Sequence, residues 1–185
     1  MLGWLKRRLD RSRTARKLYG SSVTQARRAV FYANWGIPDT PQGRFEMVVL
    51  HLALLVRRLT REGAAGQRLG RAVNEQFIVD MDDTMREMTF GDLRVPREIK
   101  QVTTALLDRH KAYADALGAA EPVKLQEAIA AQLRYLGDSG QFDIVHLADY
   151  IRRAASALDL IPGARLLDGN LEWPEPDGDI AVQRP

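Results

Sequence analysis

The sequence contains no cysteine and only three histidines among its 185 residues. Without cysteine there can be no disulfide, no thiolate zinc site, no iron–sulfur cluster and no cysteine nucleophile. His51, His110 and His146 leave little material for a histidine-based metal site. The sequence has no glycine-rich phosphate-binding loop followed by Lys-Ser/Thr, and it has no serine in the Gly-x-Ser-x-Gly motif of a nucleophile elbow. We therefore expect no catalytic site, no metal and no cofactor, and a protein that acts by binding rather than as an enzyme.

Long apolar runs are also absent. The most apolar stretch, residues 47–56, is short and contains His51, whereas a membrane-spanning helix needs about 20 apolar residues. The basic residues near the start are not followed by the apolar segment of a secretory signal peptide. Any contact with a membrane is therefore predicted to be peripheral.

Charge is distributed unevenly along the chain. The net charge is +3, yet residues 1–28 contain nine basic residues and one acid, so the remainder carries −5. Leu2, Leu5 and Leu9 recur at helical spacing beside Trp4, which predicts a basic amphipathic leader helix over residues 1–17. Such a helix suits anionic lipid headgroups or nucleic-acid phosphates. It also resembles a mitochondrial transit peptide, and it could equally dock its apolar side chains on the protein's own core. The residues predicted to contact a membrane or ribosome are Trp4, Lys6, Arg7, Arg8, Arg11, Arg13, Arg16 and Lys17.

Helical periodicity continues through nearly the whole chain. The pattern predicts an all-α fold, a single compact domain of six or seven helices over residues 18–167, preceded by the basic leader. Residues 168–185 are acidic and contain proline, so we expect a loosely ordered, flexible tail.

An acidic cluster at Asp80, Asp82 and Asp83 is the one candidate for a cation site. On a helix Asp80 and Asp83 share a face while Asp82 points elsewhere, and a calcium loop would need a glycine. A solvated acidic face, or one that meets a basic partner, is therefore favoured over a helical enzyme that uses Mg²⁺. His51 and His110 interrupt apolar stripes and are interpreted as core histidines rather than as haem ligands.

Four aromatic residues fall between positions 31 and 45 of a chain that is only 7% aromatic. They flank a short turn that contains Pro38 and Pro41. Gly43 in the first turn of the next helix lowers helix propensity by up to about 1 kcal/mol relative to alanine, which indicates close packing or close backbone approach there. The segment can be a packed helix–turn–helix corner, and aromatic residues beside an arginine are also typical of binding hot spots.

This segment carries a family resemblance. The string FYANWGIPDTPQGRFEMVVLHLALLVRRL, residues 31–59, resembles the hallmark of the ubiquinol–cytochrome c chaperone family. A second block, residues 77–88 followed by Gly91-Asp92-Leu93, is also similar to that family. The similarity spans roughly residues 18–160. Thr89 departs from it where a small, glycine-like residue is expected.

The resemblance implies a helical assembly factor of the respiratory quinol–cytochrome c reductase. Family members are thought to hold newly made cytochrome b, with a small accessory protein and near the ribosome. It implies a cytoplasmic location, peripheral at the inner membrane, in a bacterium, or the matrix side of the inner membrane in a mitochondrion. The candidate partner-binding residues are Phe31, Tyr32, Trp35, Pro38, Asp39, Thr40, Arg44, Glu46, Asp80, Asp82, Asp83, Arg86, Glu87 and Asp92. The alternative function is an RNA- or ribosome-binding helical module that uses the basic N-terminus.

Overall fold

The fold was determined as a computed structural model, which describes residues 2–87, 95–138 and 141–176, without the side chains of residues 2–7 and of Val95. All regular secondary structure in the described residues is helical and none is a strand, as the sequence predicted. Six helices have eleven residues or more: α1 (Leu2–Ala26), α3 (Pro41–Thr60), α4 (Gly63–Glu87), α5 (Val95–Gly118), α6 (Val123–Leu133) and α7 (Ile144–Leu160). Two short helices, α2 (Ala29–Ala33) and α8 (Gly163–Leu167), and a 3₁₀ turn (Arg134–Leu136) complete the described set.

The central element is α3. Every residue from 46 to 55 is buried, and the helix packs against α1, α4, α5 and α7. Its apolar side chains on all sides explain this position, because a helix without a polar face is stable only inside a core. Of the other long helices in the described ranges, only α6 packs mainly elsewhere, against α5 and α7.

The leader is part of a longer helix. No break occurs near residue 17, since α1 runs without interruption to Ala26. Ala15 and Leu18 are fully buried, and α1 packs along α4 and α3. Arg8 and Arg11 lie beside the first turns of α4, and Tyr19 lies beside its later residue Phe77. The two helices therefore run parallel.

The described part of the C-terminal segment, residues 168–176, packs against the helices. Pro176 is buried, Lys17 Nζ donates to Asn170 Oδ1 at 2.8 Å, and Gln25 Nε2 donates to the carbonyl oxygen of Pro174 at 2.9 Å. Arg28 forms an ion pair with Glu175. The packed body thus reaches Pro176, further than residue 167 where the sequence placed its end. Residues 177–185 lie outside the described part.

Candidate functional site

A groove of about 560 Å³ opens between α1, the start of α3, the second half of α4 and α5. Its apolar lining includes Phe45 and Val48 of α3, Phe77 and Met81 of α4 and Val102 of α5. The Phe45 and Phe77 rings lie 5.8 Å apart. Aromatic and methionine side chains together make a surface that is apolar and able to adapt in shape.

One edge of the groove is fixed by a hydrogen bond between α1 and α4. The Tyr19 hydroxyl donates to Asp80 Oδ2 at 2.6 Å, and its ring packs edge-on against Phe77 with centroids 6.5 Å apart. Burial and the Asp80 carboxylate raise the pKa of Tyr19, so its hydroxyl keeps its proton at neutral pH. This hydrogen bond therefore holds the Asp80 side chain at the edge of the groove.

The opposite edge is the turn before α3. Thr40 caps the helix by accepting a hydrogen bond from the backbone N–H of Gly43 at 3.2 Å, and Pro41 occupies its first turn. Arg44 Nε donates to Asp39 Oδ1 at 2.6 Å, and this contact lowers the pKa of Asp39. A Cβ on Gly43 would lie 2.0 Å from the carbonyl oxygen of Pro38. The close backbone approach predicted for Gly43 is thus confirmed.

A second cavity, of about 530 Å³, lies on the other side of the Asp39–Arg44 ion pair. Tyr32 lines it together with Ala29 and Ala33. The Tyr32 hydroxyl donates to the carbonyl oxygen of Ala26 at 2.7 Å, and burial raises the pKa of Tyr32 to about 12. Tyr32, Asp39, Thr40 and Arg44, all predicted from the sequence, therefore lie on one continuous surface.

Glu46 lies beneath this surface rather than on it. Its side chain is fully buried and accepts hydrogen bonds from Arg109 of α5, with Nε at 2.7 Å, and from the Tyr135 hydroxyl at 2.7 Å. The Arg109 guanidinium also lies 5.6 Å from the centroid of the Phe45 ring. Glu46 thus holds α3, α5 and the 3₁₀ turn together and positions Phe45, and we assign it this supporting role instead of direct contact with a partner.

Phe31 and Trp35 are also buried. Their rings pack edge-on at 5.2 Å, and Phe31 meets Tyr150 of α7 at 5.1 Å. They belong to an aromatic cluster in the core, so the packed-corner interpretation of this segment describes them better than the hot-spot one. Pro38 is half-buried, and its carbonyl oxygen lies against the Cα of Gly43, where no side chain would fit.

His51 is a core histidine, as the sequence indicated. Its Nδ1–H donates to the carbonyl oxygen of Met47 at 2.7 Å, so Nε2 accepts, and the Tyr150 hydroxyl donates to it at 2.7 Å. The Gln25 amide donates to that hydroxyl in turn at 3.0 Å. Burial lowers the pKa of His51 to about 4, so the ring is neutral at pH 7. The Trp173 ring packs against it in a T-shaped contact with centroids 5.0 Å apart, and both ring nitrogens are already hydrogen-bonded.

The acidic residues extend from the groove along the end of α4. Asp83 and Glu87 are exposed, and Asp82 Oδ2 accepts from Arg86 Nε at 2.7 Å. Asp92 lies outside the described residues. No group of three His, Asp or Glu side chains in the described ranges is arranged to hold a metal ion.

The basic candidates lie at the other end of α1. Arg8, Arg13, Arg16 and Lys17 are exposed and Arg11 is half-exposed. The side chains of Trp4, Lys6 and Arg7 lie outside the described set.

Several groove residues were not singled out from the sequence. Tyr19 and Arg109 carried no local signal, because their partners Asp80 and Glu46 are 61 and 63 residues away. Met85 was detectable, because it continues the four-residue spacing of Phe77 and Met81. That stripe extends past the buried core, since Met81 and Met85 are only half-buried.

Comparison with known proteins identifies the family. A family model described as ubiquinol-cytochrome C chaperone matches residues 33–173. The chain belongs to the ubiquinol-cytochrome C chaperone family. The crystal structure of the Cbp3 homolog from Brucella abortus is similar, with 29% sequence identity, a TM-score of 0.82, and coverage of 96% of this chain and 98% of that chain. The search of curated proteins found no match.

Family membership gives the coarse role of the chain. The chain has the role of a chaperone in assembly of ubiquinol–cytochrome c reductase, which is consistent with an apolar groove supported by a rigid helical body. Among the described helices, none combines the length and apolar character needed to cross a membrane.

Proposed function

We propose that this chaperone binds newly made cytochrome b and holds it before it joins the reductase, without catalysing a reaction on it. The groove between α1, α3, α4 and α5 carries the proposal, because it places apolar and acidic side chains side by side. A chaperone of a membrane protein must cover apolar segments that have no lipid around them. Phe45, Met81 and Met85, each partly exposed at the groove, offer such a surface.

Charge favours a client segment with basic residues beside its apolar run. Residues 72–87 of α4 contain five acids and one arginine, and Asp80 lies at the groove itself. Cytoplasmic loops of membrane proteins are rich in Lys and Arg next to their membrane-spanning segments. We infer that the groove takes the apolar end of such a segment while the acidic end of α4 pairs with its basic flank.

The apolar half of this proposal is tested by Met85→Glu, which puts a charge into the groove from a half-buried position. The matched control is Leu160→Glu at the end of α7, since Leu160 is 83% exposed and does not line the groove. We expect Met85→Glu to lose capture of cytochrome b in a pull-down and the control to retain it. Equal capture by both variants, each folded by circular dichroism, would contradict the proposal.

The acidic half is tested by charge reversal. The test variant is Asp82→Lys/Asp83→Lys/Glu87→Lys, which leaves the Tyr19–Asp80 hydrogen bond in place. The control reverses three exposed acids elsewhere, Asp108→Lys/Asp115→Lys/Asp149→Lys. Both variants change the net charge equally, so a general electrostatic effect would appear in both. We expect only the first to release cytochrome b. Unchanged capture would show that the acidic end of α4 is not part of the client surface.

We further propose a peripheral location at the inner membrane, beside the ribosome that makes the client, with a small accessory protein as a partner. The +8 charge of residues 1–28 supports attachment to a surface rich in phosphate. An RNA- or ribosome-binding module that uses this N-terminus is the competing function. Reversal of two exposed arginines, Arg13→Glu/Arg16→Glu, in the full chain together with a cytochrome b pull-down in detergent separates the two. The chaperone function predicts that capture in detergent persists, whereas loss of capture would favour the RNA- or ribosome-binding module.

A further inference from the structure

The two ends of the α1–α4 pair carry opposite charge. Residues 6–17 of α1 contain seven basic residues and one acid, and residues 57–71, from the end of α3 into α4, contain five and one. Residues 72–87 instead contain five acids and one arginine. Because α1 and α4 run parallel, both basic stretches lie at one end of the molecule, which we call the basic end.

A cleft of about 580 Å³ opens at the basic end between α1, α4 and the end of α8. Arg8 and Arg11 of α1 and Arg68 of α4 line it, so arginines from two helices border one space. Thr14 also lines the cleft, as do two acidic residues, Asp10 and Asp168. The cleft therefore keeps a net positive charge.

The helix that carries Arg8 and Arg11 is held in a fixed position. Ala15 and Leu18 are fully buried on the same helix. Arginines on a packed helix suit phosphate, because each planar guanidinium can donate two parallel hydrogen bonds to phosphate oxygens.

We propose that the basic end docks on an anionic phospholipid membrane and that the cleft receives a lipid phosphate. Leu9, between the cleft residues Arg8 and Asp10, is 65% exposed. A lipid interface buries such a side chain, whereas an RNA backbone offers it no apolar contact, so the membrane is the better fit. The proposal extends the peripheral location proposed above to Arg68, a residue outside the N-terminal leader.

Docking in this way orients the client groove. From Arg11 to Tyr19 the helix rises about 12 Å, at 1.5 Å per residue. The groove would then open just beyond the headgroup layer, where an apolar client segment leaves or enters the bilayer.

The test is vesicle flotation of the full chain. The variant is Arg11→Glu/Arg68→Glu and the control is Arg97→Glu/Arg134→Glu, which reverses two exposed arginines of α5 and the 3₁₀ turn. Vesicles contain either phosphatidylcholine alone or equal parts of phosphatidylglycerol and phosphatidylcholine. We expect wild type and control to float with the anionic vesicles only. We expect the variant to bind them at least about 25-fold more weakly, since each arginine near anionic lipid contributes about fivefold.

Equal flotation on neutral vesicles, or binding by the variant equal to that of wild type, would overturn the proposal. The proposal would also be overturned if wild type bound ribosomal RNA, the variant did not, and wild type did not float with the vesicles. If Arg11→Glu/Arg68→Glu does not fold, Arg11→Gln/Arg68→Gln replaces it, because it removes the charge of both cleft arginines without adding an acid.

The same variants are scored for cytochrome b capture in detergent. We expect capture to be unchanged by the reversal at the cleft. Loss of flotation with capture intact supports the membrane site, whereas loss of capture by Met85→Glu concerns the client groove alone. Failure of the two proposals is therefore distinguishable.

Discussion

Replacing Tyr150 by phenylalanine removes one oxygen from the centre of the buried polar network. The Tyr150 hydroxyl donates to Nε2 of His51 and accepts from the amide of Gln25. The ring itself is unchanged, so its packing against Phe31 is retained. Any loss of stability therefore reports hydrogen bonding rather than a cavity.

The size of the expected stability loss depends on which buried polar groups lose their hydrogen-bond partner. His51 is fully buried, so its Nε2 would have no donor, and an unsatisfied buried group costs about 1–3 kcal/mol. Gln25 loses one acceptor but keeps the carbonyl oxygen of Pro174. We expect the free energy of unfolding to fall by about 2 kcal/mol. For a domain of this size that lowers Tm by about 4–8 °C.

The assay is urea denaturation followed by circular dichroism, with Tyr32→Phe as the control. The Tyr32 hydroxyl makes one hydrogen bond from a half-buried position, so its loss should cost no more than about 1 kcal/mol. A change of less than about 0.5 kcal/mol for Tyr150→Phe would refute the network as a source of stability.

Three further outcomes follow from buried groups. Burial lowers the pKa of His51 and His110 to about 4, so between pH 6.5 and 4 the unfolded chain binds protons that the folded chain does not. The unfolding free energy should therefore decrease as the pH is lowered through that window, by about 1 kcal/mol per pH unit for each histidine. An unfolding free energy that stays constant across these pH values in urea titrations would contradict this. Glu46→Gln should lower the free energy of unfolding, measured in thermal melts, by about 3 kcal/mol. The reason is that the largely buried Arg109 loses its counterion. Gly43→Ala should destabilise α3 where its Cβ meets the turn before the helix; hydrogen exchange at the first turn of α3 no faster than in wild type would refute that.

Helices and the core histidine could be predicted from sequence because their signals are local. The apolar residues of α3 repeat over several turns, and Thr40, Pro41 and Gly43 lie next to the helix start that they determine. His51 interrupts an apolar helix. Because buried polar side chains in native proteins are nearly always hydrogen-bonded, a hydrogen-bonded histidine in the core was the expected arrangement.

The support beneath the groove could not be predicted in the same way. Glu46 was predicted as a partner-binding residue, whereas it is buried against Arg109 and Tyr135, which come from elements 63 and 89 residues away. The same limit applies to the C-terminal segment. Its proline and acidic composition predicted loose order, yet Trp173 packs on His51, a contact that only the tertiary fold creates.

Contact between the groove and cytochrome b is the central claim, and site-specific photo-crosslinking tests it most directly. A photoreactive side chain is placed at Met85 in the groove or at exposed Leu160, and newly made cytochrome b is scored for covalent capture on irradiation. The account predicts crosslinks from position 85 and none from position 160. Equal crosslinking from both positions, or crosslinks from position 160 alone, would contradict it.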